Sequence, residues 1–93
     1  MFDRVLNEMR AKVRERKYVM TIHGEEEMNN DCFSIYDVES GILTGKIVER
    51  QKDKATSEWK YRITGHAIDG NEVEVIAKLS TTGKLVIITV YAP

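Results

Sequence analysis

Trp59-Lys60-Tyr61-Arg62-Ile63-Thr64-Gly65-His66 decides the fold: Trp59, Tyr61 and Ile63 alternate with Lys60, Arg62, Thr64 and His66. A period of two is the pattern of a strand with one face buried and one face wet. Asp69-Gly70 follows at once, a pair favoured in tight hairpin turns. Val73, Val75, Ala77 and Leu79 give the returning strand its apolar face, and Thr82-Gly83 supplies a second turn. The last stretch, Leu85-Val86-Ile87-Ile88-Thr89-Val90-Tyr91, is apolar on both parities. Such a strand belongs inside a sheet, with neighbours on both sides. One neighbour is its hairpin partner. The short segment from Tyr18 to Thr21 is the candidate for the other.

Working towards the N-terminus, the period changes at Gly45. After it, Ile47 and Val48 sit in a strand that ends near Gln51, and Lys52-Asp53-Lys54 forms a polar loop. Before it lie helices. Ser34 and Asp37 form a capping box, with Asp in place of the usual Glu, while Phe33 and Val38 occupy the two positions of a hydrophobic staple. Ile35, Val38 and Ile42 line one face of that helix, and Gly45 is its expected C-terminal stop. One helix earlier, Thr21 suits an N-cap, Glu25, Glu26 and Glu27 suit the early turns, and Asn29-Asn30-Asp31 ends the run. Phe2, Val5, Leu6, Met9 and Val13 mark the apolar face of a first helix. The fold class that follows is α+β: an antiparallel sheet of four to five strands with two or three helices packed on one face. Residues 1–93 read as a single domain, with an N-terminal amphipathic helix over 1–16 and an α+β core over 17–93.

Composition narrows the functional classes. The chain has 93 residues, of which 42% are hydrophobic and 31% charged, enough for one modest core without metal or disulfides. No apolar run approaches the roughly 20 residues that span a bilayer, and no secretory signal pattern is visible. The single cysteine, Cys32, has no internal disulfide partner, which fits a reducing, cytoplasmic location. One cysteine and two histidines cannot build a cysteine-rich zinc site.

Charge is nearly balanced overall, at −1, but segregated. Arg4, Arg10, Lys12, Arg14, Arg16 and Lys17 crowd the first twenty residues, whereas residues 21–45 hold Glu25, Glu26, Glu27, Asp31, Asp37 and Glu39 and no Lys or Arg. The first helix is therefore expected to pack beside the acidic helix of Glu25, Glu26 and Glu27, with the charges pairing at the surface. The lack of a chain-wide basic excess argues against a broad nucleic-acid footprint. The acidic segment is expected to contact another protein.

Taken in order, Thr21, His23 and Met28 after a short strand, Phe33-Ser34 with Asp37-Val38, Gly45 with Ile47, Gly65 with Asp69-Gly70, and the closing run from Val86 to Tyr91 resemble a bacterial family, the domain of unknown function DUF4258. The resemblance covers about residues 18–92. It implies a relation to the RelE/MqsR-type toxin ribonucleases and a sheet with helices on one side. It also implies RNA as substrate and a small zinc-finger antitoxin as cognate partner, with no cofactor and no membrane. The chain departs from that family on the helix after the histidine, where many members carry arginines: here those places are Glu27 and Asp31.

RNA cleavage by a 2′-hydroxyl needs a base, an acid for the leaving oxygen and cations for the phosphoryl charge. With the family resemblance, His23 is the candidate base, Lys60 and Arg62 the candidate phosphate-binding cations, and Tyr91 the candidate proton donor or base-stacking ring. His66 shares the face of Lys60 and Arg62. Each has a plainer role: a local hydrogen bond for His23, the solvated face of a strand for Lys60, Arg62 and His66, and sheet packing for Tyr91. Trp59 and Tyr61 read as core or core-edge residues and not as a stacking platform. His23 and Glu27 have the i, i+4 spacing of metal ligands, but the sequence offers no further ligand set. Two function classes remain: a metal-independent endoribonuclease of a toxin–antitoxin module, and a catalytically silent protein-binding module of the same fold.

Overall fold

The structure is a computed structural model that describes residues 2–93. Eight elements follow in order: α1 (Asp3–Arg14), β1 (Tyr18–Met20), α2 (Ile22–Asn30), α3 (Ile35–Thr44), β2 (Lys46–Lys52), β3 (Trp59–His66), β4 (Glu72–Leu79) and β5 (Leu85–Tyr91). The strands form one sheet in the order β1-β5-β4-β3-β2. β5 is thus internal, as its two apolar parities require. Its second neighbour is the Tyr18 segment, but β1 runs parallel to β5, pairing Tyr18 with Leu85 and Met20 with Ile87. The sheet is therefore mixed and not wholly antiparallel; β2, β3, β4 and β5 form its antiparallel part.

Three helices cover one face. Met9 and Val13 of α1 join one buried cluster with Val38 and Ile42 of α3 and with Ile63, Val75, Ala77, Leu85, Ile87 and Val90 of the sheet, and Leu6 of α1 is buried as well. The closest approach is between glycines. A Cβ placed on Gly65 would stand 2.0 Å from the Gly41 carbonyl oxygen, so α3 lies on β3 with no side chain between them. The capping box forms as expected: the Asp37 amide donates to Ser34 Oγ at 3.3 Å and the Ser34 amide to Asp37 Oδ2 at 2.9 Å. The second Asp37 oxygen accepts the Ile68 amide at 3.0 Å and so ties the β3–β4 connection to the start of α3.

Three details differ from expectation. Gly45 ends α3 in an extended conformation (φ −88°), not in a left-handed cap. Its need for glycine is steric, since a Cβ would lie 2.4 Å from the Gly41 carbonyl. Left-handed backbone is found instead at Gly70 (φ 91°) and Gly83 (φ 86°) in the two hairpins, at Arg16 (φ 57°) and Cys32 (φ 60°) just past α1 and α2, and at Ser57 (φ 61°). The basic first helix packs on α3 and not on α2: Arg10 Nη2 donates to the Gly45 carbonyl at 2.8 Å, and Arg16 pairs with Glu39 at 3.7 Å. Trp59 is 41% exposed, with the Arg50 guanidinium 4.0 Å from its ring centre. Tyr61, by contrast, is buried in the core.

Candidate functional site

Thr21 places His23. Its side chain caps α2 by accepting the Gly24 amide at 3.0 Å, while its hydroxyl donates to the Ile88 carbonyl at 3.0 Å. The start of α2 is thereby fixed to β5 just where β1 stops pairing. Gly24 lets the helix come close, because a Cβ there would meet the Ile88 oxygen at 3.0 Å. His23 follows in the first turn with its side chain 67% exposed. Its Nε2 contacts Glu27 Oε1, one turn along, in an ion pair when the ring is protonated. That Glu27 oxygen is shielded from solvent and accepts no hydrogen bond among the described residues, so the contact with His23 is its one polar pairing. Glu27 thus faces one ring nitrogen across a helical turn, where it pairs with the imidazole when the ring is protonated.

A second polar group occupies the uncovered face of the sheet. Arg62 Nη1 donates to both oxygens of Glu74, at 3.1 and 3.2 Å, and Arg62 Nε donates to Glu49 Oε1 at 3.2 Å. Thr64 donates to Glu74 Oε1 at 3.1 Å. Tyr91 stands directly across from Glu74 in the sheet. Burial pushes the Glu74 carboxyl up, but hydrogen bonds from Tyr91, Arg62 and Thr64 and the Arg62 charge outweigh it and hold it below its ordinary value. The same hydrogen bond, with burial and the carboxylate charge, raises the Tyr91 hydroxyl. The guanidinium of Arg62 is raised by its bonds to Glu74 and Glu49. Its charge is met from two sides, an arrangement that stiffens the sheet.

The four candidate residues therefore fall into separate places. Arg62 and Tyr91 meet through Glu74. Lys60 lies two residues from Arg62 and has no ion-pair partner among the described residues. His23 has neither a hydrogen bond nor an ion pair to Lys60, Arg62 or Tyr91. Strand spacing alone puts β3, with Lys60, about 10 Å from β5. Along α2, Asp31 accepts the Ala92 amide at 2.8 Å, and the helix rise sets His23 about 12 Å from Asp31. His66 is exposed at the end of β3, where its backbone bonds Ser40 and Thr44. Sequence reading had not singled out Glu49, Glu74 and Thr64. The hairpin carries the signal only with a three-residue loop, Ile68-Asp69-Gly70: Ala67 then meets Asn71, and counting back along both strands sets Thr64 opposite Glu74.

A cavity of about 490 Å³ lies elsewhere, beside Asp31, Phe33, Asp37, Asp69 and Glu72. Asp31, Asp37 and Asp69 each accept backbone amides there, so these acids serve the fold. No group of three metal-ligating side chains occurs among the described residues, and no described helix is long and apolar enough to cross a membrane.

This architecture defines a small α+β protein with a mixed five-stranded sheet, a carboxylate-held histidine at a helix start and an open polar sheet face. A family model described as Domain of unknown function (DUF4258) matches residues 20–92, and the chain belongs to that family. Neither a curated protein nor a solved structure matches it.

Proposed function

We propose that this chain is a toxin-like, metal-independent endoribonuclease of a toxin–antitoxin module, with His23 as its reacting group. The observation that carries the reading is the His23–Glu27 contact at the start of α2. One ring nitrogen is held by a shielded carboxylate oxygen, and the exposed ring is open to a substrate from solvent. A histidine oriented by a carboxylate is a recurrent arrangement for general acid–base work. His23 takes the proton of a ribose 2′-hydroxyl, the 2′-oxygen attacks the adjacent phosphorus, and water protonates the departing 5′-oxygen. The products are a cyclic phosphate and a free 5′-hydroxyl end. Lys60, with no ion-pair partner among the described residues, holds a neighbouring phosphate. Tyr91 stays protonated through neutral pH, its hydroxyl raised by Glu74. Arg62 serves mainly to position Glu74 and Tyr91. Expression of the wild-type chain should slow cell growth, and expression of His23→Ala should not. A zinc-finger protein encoded beside it should relieve the arrest.

A second reading has its own observation. Arg62 is satisfied by two carboxylates, and Glu25 and Glu26 have no cationic partner among the described residues. A silent protein-binding module would use that acidic helix to dock a basic partner. Reversing Glu25 and Glu26 to Lys should then weaken partner capture most at low salt, where surface charge acts furthest. Unchanged capture removes this reading.

A further inference from the structure

We propose that the rim formed by α1, β2 and the start of β3 is a groove for single-stranded RNA, with Trp59 as its stacking wall. The proposal takes its ligand class from the ribonuclease reading, but the groove is separate from His23. A cavity of about 260 Å³ opens between Val5 of α1, Trp59 and Tyr61 of β3, and Leu79 and Thr81 at the end of β4. It falls below the roughly 300–1,000 Å³ of sites for drug-sized ligands, a size suited to one planar ring. Its walls are mainly apolar and aromatic. Trp59, although aromatic and adjacent to the core, remains 41% exposed.

Cations surround that ring. Arg50 lies 4.0 Å from the Trp59 centroid and 5.6 Å from that of Phe2, and Lys52 lies 5.7 Å from Trp59. Arg50 and Lys52 belong to the edge strand β2, across from Tyr61 and Trp59, and Lys54 follows in the loop. Three acids share this stretch, and each is engaged; Glu58, in the cavity wall itself, pairs with Lys78 at 3.5 Å. Glu49 bonds Arg62 on the opposite face, and Asp53 accepts the Ala55 amide at 2.9 Å. The rim is consequently a local positive strip beside an aromatic-walled cleft in a chain whose net charge is −1. Stacking on an aromatic ring combined with cations along the backbone path is how proteins hold single strands without reading sequence. The register break between Ile47 and Glu49 and the lysines along β2 disfavour the competing occupant, a peptide strand added to this edge.

Trp59 is the chain's single tryptophan, so its fluorescence reports this groove alone. Oligouridylate titrated into the full chain carrying His23→Ala, which removes cleavage from the measurement, should quench Trp59. Affinity should fall steeply with salt. By anisotropy of labelled oligouridylate, Trp59→Ala should bind about tenfold more weakly, and Lys52→Ala should reduce the salt slope by about 0.7, the value for one phosphate contact on a single strand. Circular dichroism would confirm that each variant is folded. No binding at low salt would overturn the proposal. So would binding that Trp59→Ala and Lys52→Ala leave unchanged, or equal quenching by a polyglutamate peptide. RNA binding at Trp59 by a chain that never cleaves RNA would keep the groove and remove the ribonuclease reading.

Discussion

Arg62 and Glu74 form the tightest charged pair on the open sheet face, with one guanidinium nitrogen 3.1 and 3.2 Å from the two carboxylate oxygens. Glu74 is 8% exposed, so its charge depends on that partner. Removing one member of a shielded pair leaves the other uncompensated. Arg62→Met should therefore lower the urea midpoint clearly, whereas Lys60→Met, which breaks no pair, should leave it nearly unchanged. Equal midpoints for the two variants would show that Arg62 is an ordinary surface cation.

Acid should unfold the protein through two carboxylates. Amide hydrogen bonds from Ser34 and Ile68 hold Asp37 below its ordinary value of 3.8. The hydrogen bonds at Glu74 hold it below 4.5. A depressed folded value means that the stabilisation is complete above the unfolded value and is lost as pH falls through the folded one. Melting temperature should thus drop below about pH 5, and the acid limb should flatten in Asp37→Asn and Glu74→Gln. An unchanged acid limb in both variants contradicts this account.

At high pH the sign reverses. Burial and the hydrogen bond to Glu39 push Tyr18 from 10.0 up to about 12. A raised value contributes stability in full below pH 10.0 and loses it as pH climbs towards about 12. In an ultraviolet tyrosinate titration, Tyr18 and Tyr91 should ionise above the ordinary tyrosine value. Tyr18→Phe should remove one late step. The absence of any ionisation above the ordinary value would refute it.

The α3–β3 contact should tolerate nothing larger than hydrogen. Gly65→Ala forces a Cβ to within 2.0 Å of the Gly41 carbonyl and should cost about 2–4 kcal/mol. Gly70→Ala meets no atom within 4 Å and should cost only the left-handed strain, about 1–2 kcal/mol. Thermal melts of the two variants give the ranking directly.

Local chemistry made much of the fold legible. The Ser34–Asp37 box, the Thr21 cap and the Asp69-Gly70 turn each involve residues a few positions apart, so their geometry follows from spacing. The internal place of β5 followed from its two apolar parities. The parallel sense of β1 did not, because three residues pair equally well either way and the path through α2 sets the direction. The site was less readable. Lys60, Arg62 and His66 were grouped correctly on one strand parity, but what neutralises Arg62 comes from residues 12 and 13 positions away. Trp59 read as core-edge because alternation shows which side a residue faces and not how far the neighbouring helix covers it.

Cleavage of a mixed RNA substrate in the presence of chelator tests the central claim most directly, with wild type and His23→Ala both shown folded by circular dichroism. The account predicts wild-type cleavage that falls about 10²–10⁴-fold in the variant, the usual scale for losing a general base. Smaller losses are expected for Lys60→Ala, Arg62→Ala and Tyr91→Phe. Wild-type activity retained in full by His23→Ala, or no cleavage by the wild type, would contradict it.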